Sequence, residues 1–312
     1  MTQFHINLHT KSDGPDVKYT TITYPAGEMQ VRIKPEYIEE LSSAHEVIIR
    51  ARLTEKDSGI IARNIINLAL LEDAIRGVNS KARLILHVPY LPYARADRRF
   101  VPGDCHGLAV FADLLNAMHF NEIHTLDAHH HKRADLYIRG LRDIQPNSLI
   151  KSAIEDFKLR TKSERITILF PDEGAVKRYS HELFAGHQIL CASKVRNTAT
   201  GQFIGFDVPD YRLFETNAVL IVDDICDGGG TFVGISKALL DQEFVPRQGL
   251  YVTHGIFSKG FEDLYTHFEV MYTSNSVYGL PCNGFRFIVS DAFEALVHPD
   301  NKAIVTGVGH NV

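Results

Sequence analysis

The sequence of 312 residues is poor in cysteine, has no excess of positive charge and contains no long apolar run. Cys105, Cys191, Cys226 and Cys282 are widely separated and lack metal-ligand spacing, which predicts reduced thiols. The formal net charge of −5 argues against nucleic acid as a partner, because nucleic-acid-binding surfaces are usually basic. No apolar run approaches the ~20 residues of a membrane span, and Met1–Phe4 begins no signal peptide. We therefore expect a cytoplasmic protein with no membrane partner.

Short apolar runs alternate with helical patterns along the whole chain. The runs predicted to be strands lie at 47–50, 84–88, 123–126, 166–170, 188–190, 219–222 and 249–252. This alternation predicts an α/β protein with open, mostly parallel sheets, and the length favours two domains. Residues 142–148 are the expected first crossing between them. Ligands of such sheets bind beyond the carboxyl ends of the strands, so the chemistry is expected there.

One strand end carries the most specific pattern in the chain. A predicted strand at Val219–Val222 leads into Asp223 and Asp224, and three glycines with Thr231 then open a helical pattern. Glycines allow backbone N–H groups to surround a phosphate, and the helix N-terminus favours its negative charge. Carboxylates suit the hydroxyl groups of a sugar. The pattern indicates a cradle for ribose 5-phosphate rather than an ordinary glycine-rich β–α connection.

A basic, aromatic loop follows the third predicted strand. Residues 89–99 contain two prolines, two tyrosines and three arginines, Arg95, Arg98 and Arg99. Guanidinium groups bind phosphate oxygens in a fork, so a loop of this kind suits a nucleoside triphosphate. A solvated charged surface is the alternative interpretation.

Two further strand ends offer ligands for a hard metal ion. Strand alternation places Asp127 and His129 on one side, where both can face Mg²⁺ or its water shell. His130 and His131 are expected to be structural or to face the ligand, since zinc sites need separated ligands. Asp172 is a second carboxylate candidate, and Glu173 has the alternative role of a first-turn helix residue.

A cationic segment follows the strand that ends near Leu190. Lys194 and Arg196 alternate with Val195, so an extended backbone directs both cations to one side. The polar residues that follow suggest a flap that closes on a bound phosphate chain and supplies charge in the transition state. An exposed surface hairpin is the competing interpretation.

Together these segments resemble the ribose-phosphate pyrophosphokinases, the phosphoribosyl-diphosphate (PRPP) synthetases, over nearly the whole chain. The matching motifs, in chain order, are Tyr24-Pro25-Ala26-Gly27-Glu28, the loop from Pro89 to Arg98, Asp127-Ala128-His129, Pro171-Asp172-Glu173-Gly174, Lys194-Val195-Arg196, Asp223–Thr231, Thr253-His254-Gly255 and Thr273–Ser276.

The resemblance implies two similar, doubly wound α/β domains, at 1–144 and 145–291, with a tail at about 292–312 returning to the first. It implies Mg²⁺-dependent transfer of the β,γ-diphosphoryl group of ATP to the 1-hydroxyl of ribose 5-phosphate, with Mn²⁺ as a possible substitute. The implied residues are Lys194, Arg196 and His129 for catalysis; His129, Asp172 and Asp127 for the metal; Arg95, Asp97 and Arg98, with Tyr24 and Glu28 of a neighbouring subunit, for ATP; and Asp223, Asp224, Asp227, Gly228, Gly229, Gly230 and Thr231 for ribose 5-phosphate. The protein is then expected to be a homo-oligomer.

Three departures from the family pattern bear on specificity. Ala26 and Ala96 stand where the family usually has Asp and Gln, which removes polar groups expected near the nucleotide. Gly228 replaces a threonine of the phosphate cradle, which removes a hydroxyl donor and opens space beside the phosphate. The segment after Arg99 lacks the pattern tied to phosphate and ADP regulation.

Four functions stay open at this point. They are PRPP synthesis, the same transfer to a larger acceptor such as ADP-ribose, a catalytically silent regulatory relative, and a phosphoribosyltransferase. The retained Lys194, Arg196, His129 and Asp172 argue against the silent relative. The basic loop and the second domain argue against a phosphoribosyltransferase.

Overall fold

A computed structural model describes residues 2–8, 18–54, 60–196, 200–277 and 286–300. The described residues divide into two compact units. The first unit holds the described residues of Met1–Gln145, Ser276–Gly279 and Ala292–Val297. The second unit holds the described residues of Pro146–Asn275, Leu280–Asp291 and His298–Val312. The division therefore falls between Gln145 and Pro146, beside the boundary proposed from the sequence.

The first unit is built on a parallel sheet of five strands, in the order β1-β4-β5-β6-β7. The strands of this unit are β1 (Gln3–Leu8), β2 (Tyr19–Thr23), β3 (Met29–Ile33), β4 (Glu46–Ala51), β5 (Arg83–His87), β6 (Glu122–Leu126) and β7 (Leu141–Ile144). Its helices are α1 (Ile38–Ser43), α2 (Ile60–Val78), α3 (Gly107–Ala117) and α4 (His131–Tyr137). Strands β2 and β3 form a separate antiparallel hairpin. The core lies between sheet and helices, where residues such as Phe4, Val47, Leu68 and Leu84 are completely buried.

The second unit repeats this plan with six parallel strands, in the order β15-β14-β13-β12-β8-β9. Its elements are α5 (Asn147–Thr161), β8 (Thr167–Phe170), α6 (Glu173–Arg178), β9 (Gln188–Cys191), β10 (Ser193–Arg196), β11 (Phe203–Asp207), β12 (Ala218–Cys226), α7 (Gly230–Leu240), β13 (Arg247–Gly255), α8 (Glu262–His267), β14 (Val270–Ser274) and β15 (Phe287–Ser290). Strands β10 and β11 form a second antiparallel hairpin. The last described helix, α9 (Ala292–Val297), belongs to the first unit, and residues 301–312 of the expected tail lie outside the described residues.

The central strand β12 is longer than the sequence predicted. Its apolar residues Val219–Val222 are completely buried, as expected for a strand inside a parallel sheet. The strand then continues through both carboxylates to Cys226, because β13 pairs with it as far as Cys226 opposite Gly255. The carboxylates therefore lie within the strand and not at its end.

Two predictions about the whole molecule can be compared with this fold. The expected α/β architecture with two mostly parallel sheets is confirmed by the strand pairing. None of the helices in the described ranges combines the length and the apolar character that crossing a membrane requires.

Candidate active site

Asp223 and Asp224 are adjacent in β12, so their side chains leave opposite faces of the sheet. Asp224 is buried, with 3% of its surface exposed, whereas Asp223 is partly exposed. A carboxylate oxygen of Asp223 accepts a hydrogen bond from the Asp224 N–H at 2.9 Å. Burial and the neighbouring Asp224 carboxyl raise the pKa of Asp223 well above its ordinary value. The environment of Asp223 thus favours its protonated form more than water does.

Arg178, at the end of α6, holds the other carboxylate of this pair. Its Nη1 lies 3.0 Å from Oδ2 of Asp224, and both side chains are largely buried. The same guanidinium also lowers the pKa of Asp223, against the stronger effect of burial. Sequence reasoning missed Arg178, because its only signal is a cation one turn after the Asp172 motif.

The turn between β12 and α7 has the backbone that a phosphate cradle needs. Gly229 adopts a left-handed conformation, with φ of 78°, immediately before the helix begins at Gly230. The N–H groups of Gly230 and Thr231 at the start of α7 point beyond the N-terminal end of the helix and have no intrahelical acceptor, whereas Phe232 N–H donates to the backbone oxygen of Gly229 at 3.0 Å. Asp227 accepts hydrogen bonds at its backbone oxygen and its carboxylate from Ser258, at 3.0 and 2.7 Å. The structure thus brings Asp223 to Thr231 together along one strand–turn–helix segment.

The space beside Gly228 is occupied, contrary to the expectation that the missing threonine opens it. A Cβ atom at Gly228 would lie 3.1 Å from Cδ and 3.2 Å from Cε of Lys259. The stem of Lys259 therefore takes the place of a side chain at position 228. The sequence offered no signal for this, since the two residues are separated by the whole of α7 and β13.

Asp172 and Lys194 form an ion pair in the same unit. Lys194 Nζ lies 3.4 Å from Oδ2 of Asp172, with 38% and 44% of the two side chains exposed. The other oxygen of Asp172 accepts a hydrogen bond from the Ala175 N–H at 3.1 Å and caps α6. Asp172 thus has a structural role as a helix cap, and its role as a metal ligand stays a prediction. Glu173 is a first-turn residue of α6 paired with Lys177.

The β10–β11 hairpin carries the cationic segment. All four residues of β10 are exposed, and a register shift interrupts the pairing between Val195 and Arg196. Arg196 donates to the backbone oxygen of Gly201 at 3.5 Å. Phe206 anchors the hairpin, because a Cβ atom at Gly234 of α7 would lie 2.5 Å from its ring. Residues 197–199 of the predicted flap lie outside the described residues.

In the first unit, Asp97 is the centre of the loop proposed to bind ATP. It is 7% exposed, and its Oδ2 lies 3.3 Å from Nε of Arg133 and 3.9 Å from Nε2 of His130. Arg133 also donates to the backbone oxygen of Asp97 at 3.0 Å. The Asp97 carboxylate is therefore buried against the side chains of Arg133 and His130 and does not face solvent. Arg133 was missed by sequence reasoning because it lies beyond the motif, in α4.

The arginines of this loop remain accessible. Arg95 is exposed, and Arg98, with 59% of its side chain exposed, lies over the ring of Phe100 at 4.9 Å. Nε of Arg99 instead donates to the backbone oxygen of Asp104 at 3.1 Å. Arg95 and Arg98 can thus reach a phosphate chain, while Arg99 holds the loop.

The alternation expected at Asp127 and His129 does not occur. β6 ends at Leu126, and Asp127 has a left-handed backbone with φ of 47°. Asp127 is 1% exposed and donates its N–H to the backbone oxygen of Ile144 at 2.9 Å, whereas His129 is partly exposed. The turn therefore leaves His129 accessible to solvent and Asp127 inside the unit.

Tyr24 and Glu28 close the β2–β3 hairpin, and both are exposed. The N–H of Tyr24 donates to the backbone oxygen of Glu28 at 2.8 Å, and the Tyr24 hydroxyl donates to Oε1 of Gln30 at 2.6 Å. Gly27 supplies the positive φ of 95° that the turn requires. The hairpin thus presents an aromatic ring and a carboxylate side by side on the surface.

Over the described part of the chain, no three His, Cys, Asp or Glu side chains cluster closely enough to hold a metal ion. This does not conflict with Mg²⁺, which typically takes one or two carboxylates and completes its shell with water and substrate phosphates. The half-exposed carboxylate of Asp172 fits that pattern, and the partly exposed His129 fits a contact through water.

The fold is that of an α/β protein whose strand ends carry carboxylates, cations and a glycine turn. No protein-family model matches the chain. Curated relatives named ribose-phosphate pyrophosphokinase include those of Saccharolobus solfataricus, 28% identical over 226 residues and 72% of each chain, and Pyrococcus furiosus, 26% identical over 82% of this chain and 84% of the relative. A third relative of that name, from Marinomonas sp., is 31% identical over 64% of this chain and 62% of its own length.

A solved structure agrees with these sequence relatives. The phosphoribosylpyrophosphate synthetase from Mycobacterium smegmatis superposes with a TM-score of 0.74 and 17% identity, and covers 96% of this chain and 97% of its own. The chain is therefore similar in sequence to the ribose-phosphate pyrophosphokinases and shares the fold of this phosphoribosylpyrophosphate synthetase, the resemblance that its motifs predict. These relatives are named as pyrophosphokinases, which is the enzyme class that the motifs of this chain predict.

Proposed function

We propose that the protein transfers the β,γ-diphosphoryl group of ATP to the 1-hydroxyl of ribose 5-phosphate, giving PRPP and AMP. The 1-oxygen of ribose attacks the β-phosphorus, the bond from that phosphorus to the oxygen of the α-phosphate breaks, and the hydroxyl proton is released. The observation that carries this proposal is the β12–α7 segment, where two carboxylates precede a left-handed glycine and the free N–H groups of a helix N-terminus.

The acceptor is proposed to bind along this segment. Its 5-phosphate accepts hydrogen bonds from the N–H groups of Gly229, Gly230 and Thr231, where the helix dipole also favours a negative charge. Its hydroxyls interact with Asp223 and Asp224. Arg178 supports this role, because it fixes the Asp224 carboxylate at 3.0 Å in the absence of substrate.

Lys194 and Arg196 are proposed to neutralise the transferring group. Both are exposed on the hairpin that Phe206 anchors to α7. In the free protein the ammonium of Lys194 is held by Asp172, and a phosphate chain would compete for it. Positioning and charge neutralisation supply most of the catalysis in phosphoryl transfer, so no covalent intermediate is needed.

ATP is proposed to bind the loop of the first unit. Arg95 and Arg98 offer accessible guanidinium groups, and Asp97 with Arg133 keeps the loop in place. Tyr24 and Glu28 are proposed to contact the adenine bound by a neighbouring subunit, which makes the protein a homo-oligomer. Mg²⁺, or Mn²⁺ in its place, is proposed to bind the carboxylate of Asp172 in the second unit and to reduce the negative charge of the phosphate chain. His129 of the first unit is proposed to contact a phosphate-bound metal ion through water.

A larger acceptor such as ADP-ribose is the second candidate. It shares the ribose and the phosphate contacts, but the room that Gly228 was expected to provide is taken by Lys259. Ribose 5-phosphate is therefore the acceptor that the geometry favours. On that preference we propose a role in nucleotide biosynthesis rather than in NAD metabolism.

The test is a side-by-side assay of AMP formation from ATP, with ribose 5-phosphate or ADP-ribose as acceptor. Purified protein should form AMP with ribose 5-phosphate when Mg²⁺ or Mn²⁺ is present, and a zinc-selective chelator should leave the rate unchanged. Faster AMP formation with ADP-ribose would favour the second candidate. No AMP with either acceptor would indicate a catalytically silent relative.

A further inference from the structure

A lysine outside all of the sequence motifs lies against the phosphate cradle. Lys259 follows β13 in the chain, yet its stem runs over Gly228, with Cγ, Cδ and Cε all within 3.1 to 3.4 Å of the position that a Cβ on Gly228 would occupy. The ammonium group is attached to Cε and therefore lies at the cradle. Lys259 is exposed, so water and a ligand can both reach it.

The loop that carries Lys259 is fixed to the cradle by its backbone. Cys226 O accepts hydrogen bonds from the N–H groups of Ile256 and Phe257 at 2.8 and 3.2 Å, and Asp227 accepts two from Ser258. Ser258, the residue before Lys259, is therefore hydrogen-bonded to Asp227, the residue before Gly228. These four bonds fix the backbone of the loop from which the Lys259 side chain extends over Gly228.

The loop also holds an unusual conformation. Phe257 has a positive φ of 47°, which is rare for a bulky residue, and its buried ring packs against Gly255, where a Cβ would clash. Gly260 completes the turn with φ of 80°, and its N–H donates to Phe257 O at 2.9 Å. A strained, closely packed turn of this kind keeps Lys259 in place.

The ammonium of Lys259 makes no hydrogen bond or ion pair to any side chain in the described ranges of the chain. By contrast, other cations of this unit are already paired, Lys194 with Asp172 and Arg178 with Asp224. Lys259 thus offers its full charge to a ligand of the cradle.

We propose that Lys259 is a specificity-determining residue of the cradle, whose ammonium group binds the phosphate on the 5-carbon of the acceptor. This inference rests on the proposed function for the identity of the acceptor. Gly228 and Lys259 act as a pair: the glycine leaves room for the lysine stem, and the lysine supplies a charged donor where a side chain at position 228 could supply only a neutral one. The chemical group recognised is a phosphate ester, whether it is a monoester end or is linked onward to a nucleotide.

The test compares Lys259→Met with wild type, and with Lys151→Met as the matched control. Methionine keeps most of the stem and removes the charge, while Lys151 is an exposed lysine on α5 of the same unit. Calorimetry without ATP measures binding of ribose 5-phosphate, of ADP-ribose and of unphosphorylated ribose, and a separate assay measures AMP formation.

We expect Lys259→Met to weaken binding of ribose 5-phosphate by about tenfold, to raise its KM by a similar factor and to change kcat by less than about threefold. A tenfold loss is the scale of one charge-assisted hydrogen bond. Binding of ribose should not change. A loss of affinity confined to ADP-ribose would mean that Lys259 contacts the nucleotide part of ADP-ribose, and it would overturn the proposal. Affinities of Lys259→Met within twofold of those of Lys151→Met would overturn it as well.

These measurements distinguish failure of the proposed transferase activity from failure of the role proposed for Lys259. If wild type binds ribose 5-phosphate through Lys259 but forms no AMP, the transferase activity is wrong and the assignment of Lys259 stands. If AMP forms at normal KM in Lys259→Met, the activity stands and Lys259 is a surface residue. Gly228→Thr adds an independent check, since displacing the Lys259 stem should weaken binding in wild type but not in the Lys259→Met background.

Discussion

The guanidinium of Arg178 lies 3.0 Å from the Asp224 carboxylate and ties helix α6 to the central strand of the second unit. Arg178 and Asp224 have only 15% and 4% of their side chains exposed, so water compensates neither charge well. The neighbouring Asp223 is affected as well, because Arg178 lowers its pKa against the effects of burial and of Asp224. One arginine thus acts on both carboxylates proposed to hold the ribose, through an ion pair with Asp224 and at longer range with Asp223.

Replacing Arg178 by Met should lower the free energy of unfolding by about 3 kcal/mol, because it leaves a buried carboxylate without its cation. Urea unfolding at pH 7 measures this change. The double variant with Asp224→Asn should recover at least half of the loss, since it removes the uncompensated charge. Equal stability of wild type and Arg178→Met would mean that the ion pair contributes nothing.

Lys194→Ala and Arg196→Ala should each lower kcat by at least ~100-fold, because both cations are used mainly in the transition state. Their side chains lie on an exposed hairpin, so unfolding in urea should be almost unchanged. Arg165→Ala, which breaks an exposed ion pair with Glu215, is the matched control and should keep wild-type turnover. Near-normal kcat in both hairpin variants would remove this hairpin from the mechanism.

Asp223→Asn should stabilise the free protein at neutral pH. The folded protein keeps a proton on Asp223 that the unfolded chain loses above about 3.8, so stability falls as the pH rises from there towards the raised pKa. Asparagine stays neutral and avoids this loss. We expect a gain on the order of 1 kcal/mol at pH 7 that disappears near pH 3, measured by urea unfolding across that range. The exposed Asp241→Asn is the control, and a pH-independent difference would contradict the prediction.

His87 should make the first unit sensitive to acid. It is buried at the end of β5 and stacks on His124 at 5.0 Å between ring centroids. Burial, followed by the charge of His124, lowers the pKa of His87 to about 3. Between pH 6.5 and 3 the unfolded chain binds a proton at His87 that the folded protein does not bind. The free energy of unfolding therefore decreases as the pH is lowered, by up to about 1.4 kcal/mol per pH unit.

His87→Gln should flatten that dependence, as measured by urea unfolding between pH 7 and pH 4. The exposed His181→Gln should leave it unchanged. If the free energy of unfolding depends on pH equally steeply in both variants, a group other than His87 causes the loss of stability in acid.

The sequence predicted those parts of the fold that depend on local pattern. Apolar runs at 219–222 and 123–126 lie in strands because a buried parallel strand is apolar on both faces. The glycine run was informative for the same reason, since only a residue such as Gly229 adopts the left-handed turn easily.

Long-range pairing and backbone reversals were not predictable in this way. β12 extends through Asp223 and Asp224 because β13 pairs with it, and nothing local in the sequence indicates that partner. Asp127 leaves the alternation of its strand through a positive φ. Arg178 and Lys259 reach the site from other elements, so only the folded chain identifies them.

The most direct test of the whole account is the ³¹P NMR spectrum of a reaction that contains the purified protein, ATP, Mg²⁺ and ribose 5-phosphate. Transfer of the intact β,γ-diphosphoryl group should convert ATP to AMP and produce two mutually coupled phosphorus signals on the 1-oxygen of the ribose, in equal amounts with AMP. Formation of ADP together with a single phosphate on the 1-oxygen of the ribose would contradict the account, and so would an unchanged ATP spectrum.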